Sequence, residues 1–299
     1  MLDALLWFVT QLALAPVNAA RALASPGAWL DWSDPEALMR FVYYGGSVEL
    51  VFVALAAFLI LTAVGVWRRG FLWALVRGLE GFHNGLGRVV AWVGLVMVLQ
   101  QIVIVFAQRI FSQSSLTLGL GPAFTFDVSW WSEQLKLYNA MIVALCVAYT
   151  FVQGGHVRVD LVYAPLRHRA KRVVDMLGCL VFMMPLAVVL WIYSWYFLWR
   201  HLITPKVSAS ESLEQMLMKA RALRWNVETY GFSPSGFNAY FLFKVLLLAF
   251  AGLVFLQAVS FFWRSFLEWR EGPEAEGRFL DRDPTSEAIR EIEAEPPRA

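Results

Sequence analysis

Long apolar runs separated by short polar stretches dominate the sequence, and they predict membrane-spanning helices. About five of the runs reach the ~20 residues that cross a hydrocarbon core of about 30 Å at ~1.5 Å per residue. Aromatic residues, which anchor helices at the water–lipid boundary, lie near several ends of these runs. The predicted spans cover about residues 44–67, 88–110, 133–153, 173–199 and 240–263.

The N-terminal segment predicts a different kind of helix. Residues 5–15 are apolar over the length of a signal-peptide core, but no basic residues precede them and Asp3 has the wrong sign for a signal peptide. We therefore expect a helix that lies in the membrane interface. It should end near Pro16 or at Ser25-Pro26-Gly27.

Two polar segments depart from the apolar pattern. The 201–238 loop has mixed charge, and its SESLEQMLMKARAL stretch predicts a short amphipathic helix with Leu213, Met216, Met218 and Leu223 on the apolar face. Residues 271–299 are charged, contain proline and are poor in aromatics, which predicts a disordered tail.

Composition agrees with a lipid-embedded chain. The sequence is 59% hydrophobic and 16% charged, whereas soluble domains carry about 25% charged residues. The predicted fold class is thus an all-α integral membrane protein, with about five transmembrane helices plus the N-terminal interfacial helix. A net charge of +2 is too small to indicate nucleic-acid binding.

The distribution of basic residues predicts the topology. The loops expected at 68–88 and 154–172 are strongly basic, whereas 111–131 contains neither Lys nor Arg. The positive-inside rule then places the first two loops and the C-terminus in the cytoplasm, and the N-terminus on the other side. The 201–238 loop also falls outside, because longer folded segments translocate despite their charges.

Residues typical of catalysis or cofactor binding are sparse. None of the four histidines lies in the middle of a span, where paired haem ligands would be needed, and Cys146 and Cys179 lie within apolar runs without a CxxC motif. The sequence contains no Gly-rich phosphate loop, HExxH motif or nucleophile elbow. We therefore expect no enzyme activity, no cofactor and no metal site.

The sequence also differs from that of a complete transporter. Transporters commonly show internal repeats and helices broken by Gly or Pro at the substrate site, whereas Pro185 is the only proline deep in a predicted span. The amides of Gln100, Gln101 and Gln257 are interpreted as hydrogen-bonding groups between helices. Asp175 and Lys244 lie near span ends, where snorkelling to water is expected. These features favour a scaffold or accessory subunit.

Motifs around the third predicted span resemble those of one transporter family. Trp131-Ser132-Glu133 opens this helix, and Gly155-His156-Val157-Arg158-Val159-Asp160 follows it on the cytoplasmic side. The last span begins near Lys244 and carries Leu256-Gln257. In order and spacing these motifs resemble the small membrane subunit (DctQ type) of tripartite ATP-independent periplasmic transporters, the TRAP family.

The resemblance covers about residues 82–270 and defines the expected domains. Residues 1–43 form the interfacial helix and a non-cytoplasmic segment, 44–81 an extra first span and loop, 82–270 a four-helix core, and 271–299 the tail. The chain departs from the family where Gln134 replaces the second motif glutamate, and where Leu137 stands at the usual arginine with Lys136 beside it.

The resemblance implies a function and partners. The chain would brace a large transport subunit in a bacterial inner-membrane complex for cation-driven uptake of organic acids, a form of secondary active transport. It would also help to dock a periplasmic substrate-binding protein. The candidate subunit contacts are Gln100, Gln101, Trp131, Glu133, His156, Arg158, Asp160, Lys244 and Gln257, and the candidate docking residues are Lys219, Arg221 and Arg224.

Two other functions stay open at this point. One is a stand-alone membrane permease or channel. The other is the membrane anchor subunit of an enzyme complex.

Overall fold

A computed structural model describes residues 2–118, 124–154, 163, 165–219, 221–224 and 239–281 of the chain. The described part is almost entirely helical. Its helices are α1 (Leu2–Ala24), α2 (Gly27–Leu30), α3 (Pro35–Gly45), α4 (Val48–Trp67), α5 (Arg69–Val105), α6 (Val128–Val152), α7 (His168–Gly178), α8 (Met184–Leu202), α9 (Leu213–Leu217) and α10 (Phe241–Glu271). The π-helical turns Phe106–Ile110 and Cys179–Met183 follow α5 and α7, and a 3-10 turn covers Pro273–Ala275.

Two small antiparallel pairs complete the secondary structure of the described residues. Strand β1 (Ser115–Leu118) pairs with β2 (Phe124–Asp127), with Ser115 opposite Asp127. Strand β3 (Ile203–Thr204) pairs with β4 (Ala222–Leu223).

The predicted all-α membrane class is confirmed. Six helices of the described chain are long and apolar enough to cross a membrane, by length and composition. Five of them overlap the predicted spans almost completely, and the sixth is Asp3–Ala24. The first span begins at Val48 rather than at 44, because a separate helix, α3, runs to Gly45. The N-terminal helix was expected to lie in the interface, and by length and composition alone it is also a candidate span.

The helix end expected near Pro16 is wrong, whereas the alternative end at Ser25-Pro26-Gly27 is confirmed. Helix α1 continues through Pro16 to Ala24. A proline inside a helix removes one backbone hydrogen bond. Packing offsets that loss here, because Ala15 is buried against Phe52 and Ala56 of α4.

The loop expected at 68–88 is instead the first half of a long helix. Only Arg68 separates α4 from α5, and α5 then runs without proline for 37 residues. Its inner face is continuous at helical spacing, with Leu72 and Val76 both buried. Three of its polar side chains, those of Glu80, His83 and Asn84, are buried inside the protein.

The disorder expected from residue 271 is wrong for the residues up to Asp281. Helix α10 includes Glu271, and Gly272–Asp281 packs against neighbouring helices, with Ala275 buried. Residues 282–299 of the expected tail lie outside the described residues.

The helix expected around SESLEQMLMKARAL is shorter than its pattern predicted. Helix α9 covers Leu213–Leu217 and begins with a capping box between Ser212 and Gln215. Met216 is buried as expected, but Met218 is exposed and Leu223 belongs to β4. The β3–β4 pairing therefore competes successfully with continuation of the helix.

The described chain divides into two compact units, each with its own packing. The first comprises the described residues within 1–72, 185–230 and 238–251. Its core joins α3 to α8, where the Trp195 indole N–H donates to the Val42 carbonyl at 2.8 Å and Trp191 donates to the Gly45 carbonyl at 2.9 Å. A Cβ atom at Gly45 would lie 2.0 Å from the Trp195 ring, so glycine permits this close approach.

The second unit comprises the described residues within 73–184 and 252–281. It contains most of α5, the β1–β2 pair, α6, α7 and the later part of α10. Asp127 ends β2 and caps α6, because its carboxylate accepts the Ser129 backbone N–H at 2.8 Å.

Candidate functional site

A buried ion pair joins α5 to α10 in the second unit. The Arg264 guanidinium donates from Nε to Glu80 Oε1 at 2.7 Å and from Nη2 to the other carboxylate oxygen. Both side chains are nearly inaccessible, at 6% and 5% exposed. Arg264 also donates to the Arg278 carbonyl at 2.9 Å and lies 5.4 Å from the centroid of the Trp73 ring. Such a forked pair fixes both distance and orientation between two helices.

Arg172 of α7 forms the centre of a second group of charges. Its Nε atom lies 2.9 Å from a Glu268 carboxylate oxygen of α10, and Nη1 lies 3.2 Å from Asp175. Its Nη2 donates to Glu276 at 2.5 Å. Asp175 also accepts the Tyr163 hydroxyl at 2.9 Å. The snorkelling expected for Asp175 is thus wrong, because its carboxylate is held inside by Arg172 and Tyr163.

Amide and imidazole groups extend the buried polar network. His83 Nδ1 lies 2.7 Å from the Gln257 amide oxygen, which links α5 to α10. Asn84, one residue further along α5, donates to the Asp281 carbonyl at 2.7 Å, and Gln153 donates to the same carbonyl at 3.0 Å. The network therefore ties α5, the end of α6 and the chain after α10 together.

The charges of the network are paired within the second unit. Its carboxylates are matched by guanidinium groups within the same unit, and each charge buried away from water needs such a partner. Among the described residues, no group of three or more His, Cys, Asp or Glu side chains is placed to hold a metal ion. The arrangement fixes the register of helices.

The outer face of α5 is open, whereas the inner face is closely bonded to neighbouring helices. Gly78, Gly81 and Gly85 share one stripe of the helix, and a Cβ atom built at each meets no atom within 4 Å in the described part of the chain. The stripe continues into Val89 and Trp92, which are 67% and 68% exposed. We call residues 78–92 of this stripe the glycine face. Small residues on a helix surface let another helix backbone approach closely.

The open space is restricted to one side of α5, as the surroundings of Gly87 show. Gly87 lies on the inner side of α5, where a Cβ atom would lie 2.3 Å from the Tyr149 ring of α6. One side of the helix is thus closely packed within the chain. The other side makes no such contact within the described part of the chain.

The sequence-predicted amides lie in different environments. Gln100 donates to the Trp131 carbonyl and to the Gln134 side chain, both at 3.2 Å, so it links α5 to α6 as interpreted. Gln101 is exposed. Gln257 joins the buried network through His83.

The charged motif candidates are held by contacts within the chain. Glu133 accepts from the Lys136 ammonium at 2.7 Å one turn away on α6. Lys244 is buried, with its ammonium 4.5 Å from the centroid of the Phe197 ring, so the snorkelling expected for it is wrong. His156, Arg158 and Asp160 lie outside the described residues.

The docking candidates in the 201–238 loop differ in accessibility. Arg221 is buried and paired with Glu211, which also accepts from Lys219 at 2.8 Å. Arg224 is exposed, and its backbone N–H donates to the Leu202 carbonyl at 2.8 Å. Lys219 and Arg224 thus lie at the surface, Lys219 in an ion pair with Glu211, whereas Arg221 supports the loop from inside.

The sequence interpretation missed most of the buried network. Glu80 and Arg172 fall in stretches expected as loops, and Arg264 and Glu268 lie just beyond the last predicted span. One signal was present, since Arg264 and Glu268 are one helical turn apart directly after an apolar run. Two opposite charges at that spacing beside a span are compatible with a helix that continues past the lipid.

Comparison of the chain with family models, with curated proteins and with solved structures found no match in any of the three.

Proposed function

We propose that the chain is a small membrane subunit of a TRAP-type transporter that braces a large transport subunit. The observation that carries the proposal is the two-sided build of α5. Its inner face is locked to α6 and α10 by close packing and buried ion pairs, and its outer glycine face is open and apolar. A brace needs a rigid helix whose free face fits another helix. The motifs at Trp131, Glu133 and Gln257 support the same assignment.

The proposed setting is a bacterial inner membrane with the C-terminus in the cytoplasm and the N-terminus in the periplasm. Basic residues beside α4, α5 and α7 support this orientation through the positive-inside rule. Alkaline phosphatase fused before Met1 should then be active, and the same enzyme fused after Ala299 inactive. Inactivity of both fusions would instead indicate that α1 spans the membrane.

The brace is tested by affinity purification of the tagged chain from its native membranes. We expect a large membrane subunit of roughly a dozen spans to co-purify, because a scaffold is isolated with its partner. Leucine at both Gly81 and Gly85 should reduce the co-purified amount at least about tenfold, since the added side chains fill the space that a partner helix needs.

A matched control tests whether the loss of co-purification is caused by leucine on the glycine face or by added bulk anywhere in the chain. Gly178 of α7 also has open space around a built Cβ, so Gly178→Leu adds the same bulk elsewhere. It should leave co-purification unchanged. Purification of the chain without a large partner, together with normal uptake of a panel of organic acids by cells lacking it, would refute the proposal. Solute flux through the purified chain alone in liposomes would favour a stand-alone permease.

The surface charges of the 201–238 loop are proposed to contact the periplasmic binding protein. Charge reversal at Lys219 and Arg224 should lower uptake when the binding protein is scarce, because electrostatic attraction raises association rates. Arg221→Leu serves as a separate control for loop integrity, since its side chain is buried. Unchanged uptake of the Lys219 and Arg224 variants at every binding-protein concentration would exclude the contact.

A further inference from the structure

An exposed aromatic ring lies where the chain returns to α5 after the end of α10. Phe279 is 47% exposed, and its ring contacts Trp73 of α5 edge-on at 5.5 Å between ring centroids. Its φ angle is 60°, in the left-handed region that residues other than glycine rarely adopt. Such a backbone conformation persists only where the surrounding contacts hold it. The fold therefore holds this apolar ring at a defined place on the surface.

Two guanidinium groups lie over the Phe279 ring. The Cζ atom of Arg77 is 5.1 Å from the ring centroid, and that of Arg278 is 4.9 Å from it. The attraction of a cation to the face of an aromatic ring extends to about 6 Å, so both groups are within its reach. Both arginine side chains are also exposed. We call Arg77, Arg278 and Phe279 the arginine–phenylalanine cluster.

The carboxylates near the cluster are engaged with other groups. Glu271 accepts the Trp73 indole N–H at 3.1 Å through Oε1, and its Oε2 atom lies 3.5 Å from Arg278, at the limit of a hydrogen bond. Glu80, one turn after Arg77 on α5, is held in the buried ion pair described above. Within the described part of the chain, Arg77 is paired with no carboxylate. The cluster therefore carries two positive charges against one distant carboxylate.

The cluster lies at the level where the last apolar run ends. Arg264 follows directly after the run 240–263, and it is bonded to Glu80, one turn from Arg77. Arg264 also donates to the Arg278 backbone carbonyl at 2.9 Å. These bonds place both arginines of the cluster beside the first charged residue after a candidate span. Basic and aromatic side chains at this level of a membrane protein face the lipid headgroups.

We propose that the arginine–phenylalanine cluster binds the headgroup of an anionic phospholipid. Guanidinium groups donate charge-assisted hydrogen bonds to phosphate oxygens, and the planar fork suits this contact. The exposed Phe279 ring contacts the glycerol backbone and the first carbons of the acyl chains. A soluble phosphate ester offers the same oxygens but no apolar group for the ring, so the ring favours a lipid. The proposal does not depend on the function proposed above.

The site is tested by native mass spectrometry of the full chain, released from detergent micelles that contain phosphatidylglycerol. We expect the parent chain to retain bound phosphatidylglycerol. Arg77→Gln together with Arg278→Gln should lower the retained fraction at least about tenfold, because two cationic contacts to the headgroup are lost. The matched control is Arg109→Gln, which removes an exposed arginine in the π-helical turn at the other end of α5. It should leave retention unchanged.

Equal retention by the double variant and the parent, or an equal loss in Arg109→Gln, would overturn the proposal. Soluble glycerol phosphate in large excess should not displace the lipid. Displacement would assign the cluster to free phosphate esters and so overturn the lipid assignment. If the double variant does not fold, Arg77→Gln and Arg278→Gln are measured separately, and each should lower retention about threefold. Unchanged retention in both single variants would equally overturn the site.

Discussion

The ion pair between Glu80 and Arg264 yields a quantitative prediction about stability. Glu80→Met removes both carboxylate oxygens that accept from Arg264, the nearer at 2.7 Å. Arg264 would keep the Arg278 carbonyl at 2.9 Å and a more distant Glu268 oxygen at 3.6 Å. Removal of one partner of a buried pair costs about 3–5 kcal/mol. Because Glu268 can partly replace Glu80, we expect about 3 kcal/mol.

That free energy corresponds to a measurable shift in melting temperature. A destabilisation of ~3 kcal/mol lowers Tm by roughly 6–12 °C for a chain of this size class. The assay is thermal unfolding in detergent, followed by a dye that fluoresces on reaction with thiols. Cys179 is buried and so becomes reactive only on unfolding. All variants are heated at one rate, because membrane-protein unfolding is commonly irreversible.

The double variant Glu80→Met with Arg264→Met tests whether the destabilisation comes from leaving one buried charge without its partner. Replacement of both members by apolar side chains of similar size is often neutral or stabilising. Glu268 retains Arg172 at 2.9 Å in that variant, so no carboxylate of the group is left unpaired. We expect the double variant to melt within about 3 °C of the parent. A double variant as unstable as the sum of the two single variants would refute the reasoning.

Three further predictions address other parts of the structure. Gly45→Ala places a methyl group against the Trp195 ring and should cost about 1–3 kcal/mol, seen as a lower Tm, whereas Gly27→Ala, in open space, should have little effect. Gln100→Leu removes the hydrogen bonds from α5 to α6 and should lower Tm by the equivalent of about 0.6–2 kcal/mol, with exposed Gln101→Leu as the control. The Lys219 ammonium holds the pKa of the Glu211 carboxyl below its ordinary value of 4.5. The pair therefore stabilises the loop fully above pH 4.5. This stabilisation is lost as the pH falls through the lowered pKa that Glu211 has in the folded protein. Proteolysis of the loop should therefore rise in acid for the parent, and Glu211→Gln should be cleaved readily at neutral pH too.

The membrane class could be predicted from the sequence because hydropathy depends only on local composition. An apolar run of sufficient length has few stable states other than a spanning helix, whichever residues lie elsewhere in the chain. All residues but one of the predicted span 133–153 accordingly lie within α6, and all but one of 240–263 lie within α10. Helix ends were less predictable, because α5 and α10 extend past their apolar runs.

The buried network could not be predicted because its partners are distant in sequence. Glu80 and Arg264 are separated by 184 positions. Each alone is typical of a charged residue near the end of a span, for which contact with water is the ordinary expectation. Only the fold shows that the charges face each other. The packing of residues 272–281 could not be predicted for the same reason, since Phe279 is a lone aromatic in a charged segment and contacts Trp73 only through the fold.

The ion pair on the inner face of α5 fixes the direction in which the outer face points. Buried ion pairs contribute little net stability compared with apolar packing, but they tolerate few alternative registers. The Glu80–Arg264 pair lies on the face of α5 opposite Gly78 and Gly85. A rotation of the helix that broke the pair would also turn the glycine face away from its outward direction and bury Gly81 or expose Gly87. The ion pair therefore specifies which side of α5 faces outward, and the proposed bracing role requires such a fixed side of its contact helix.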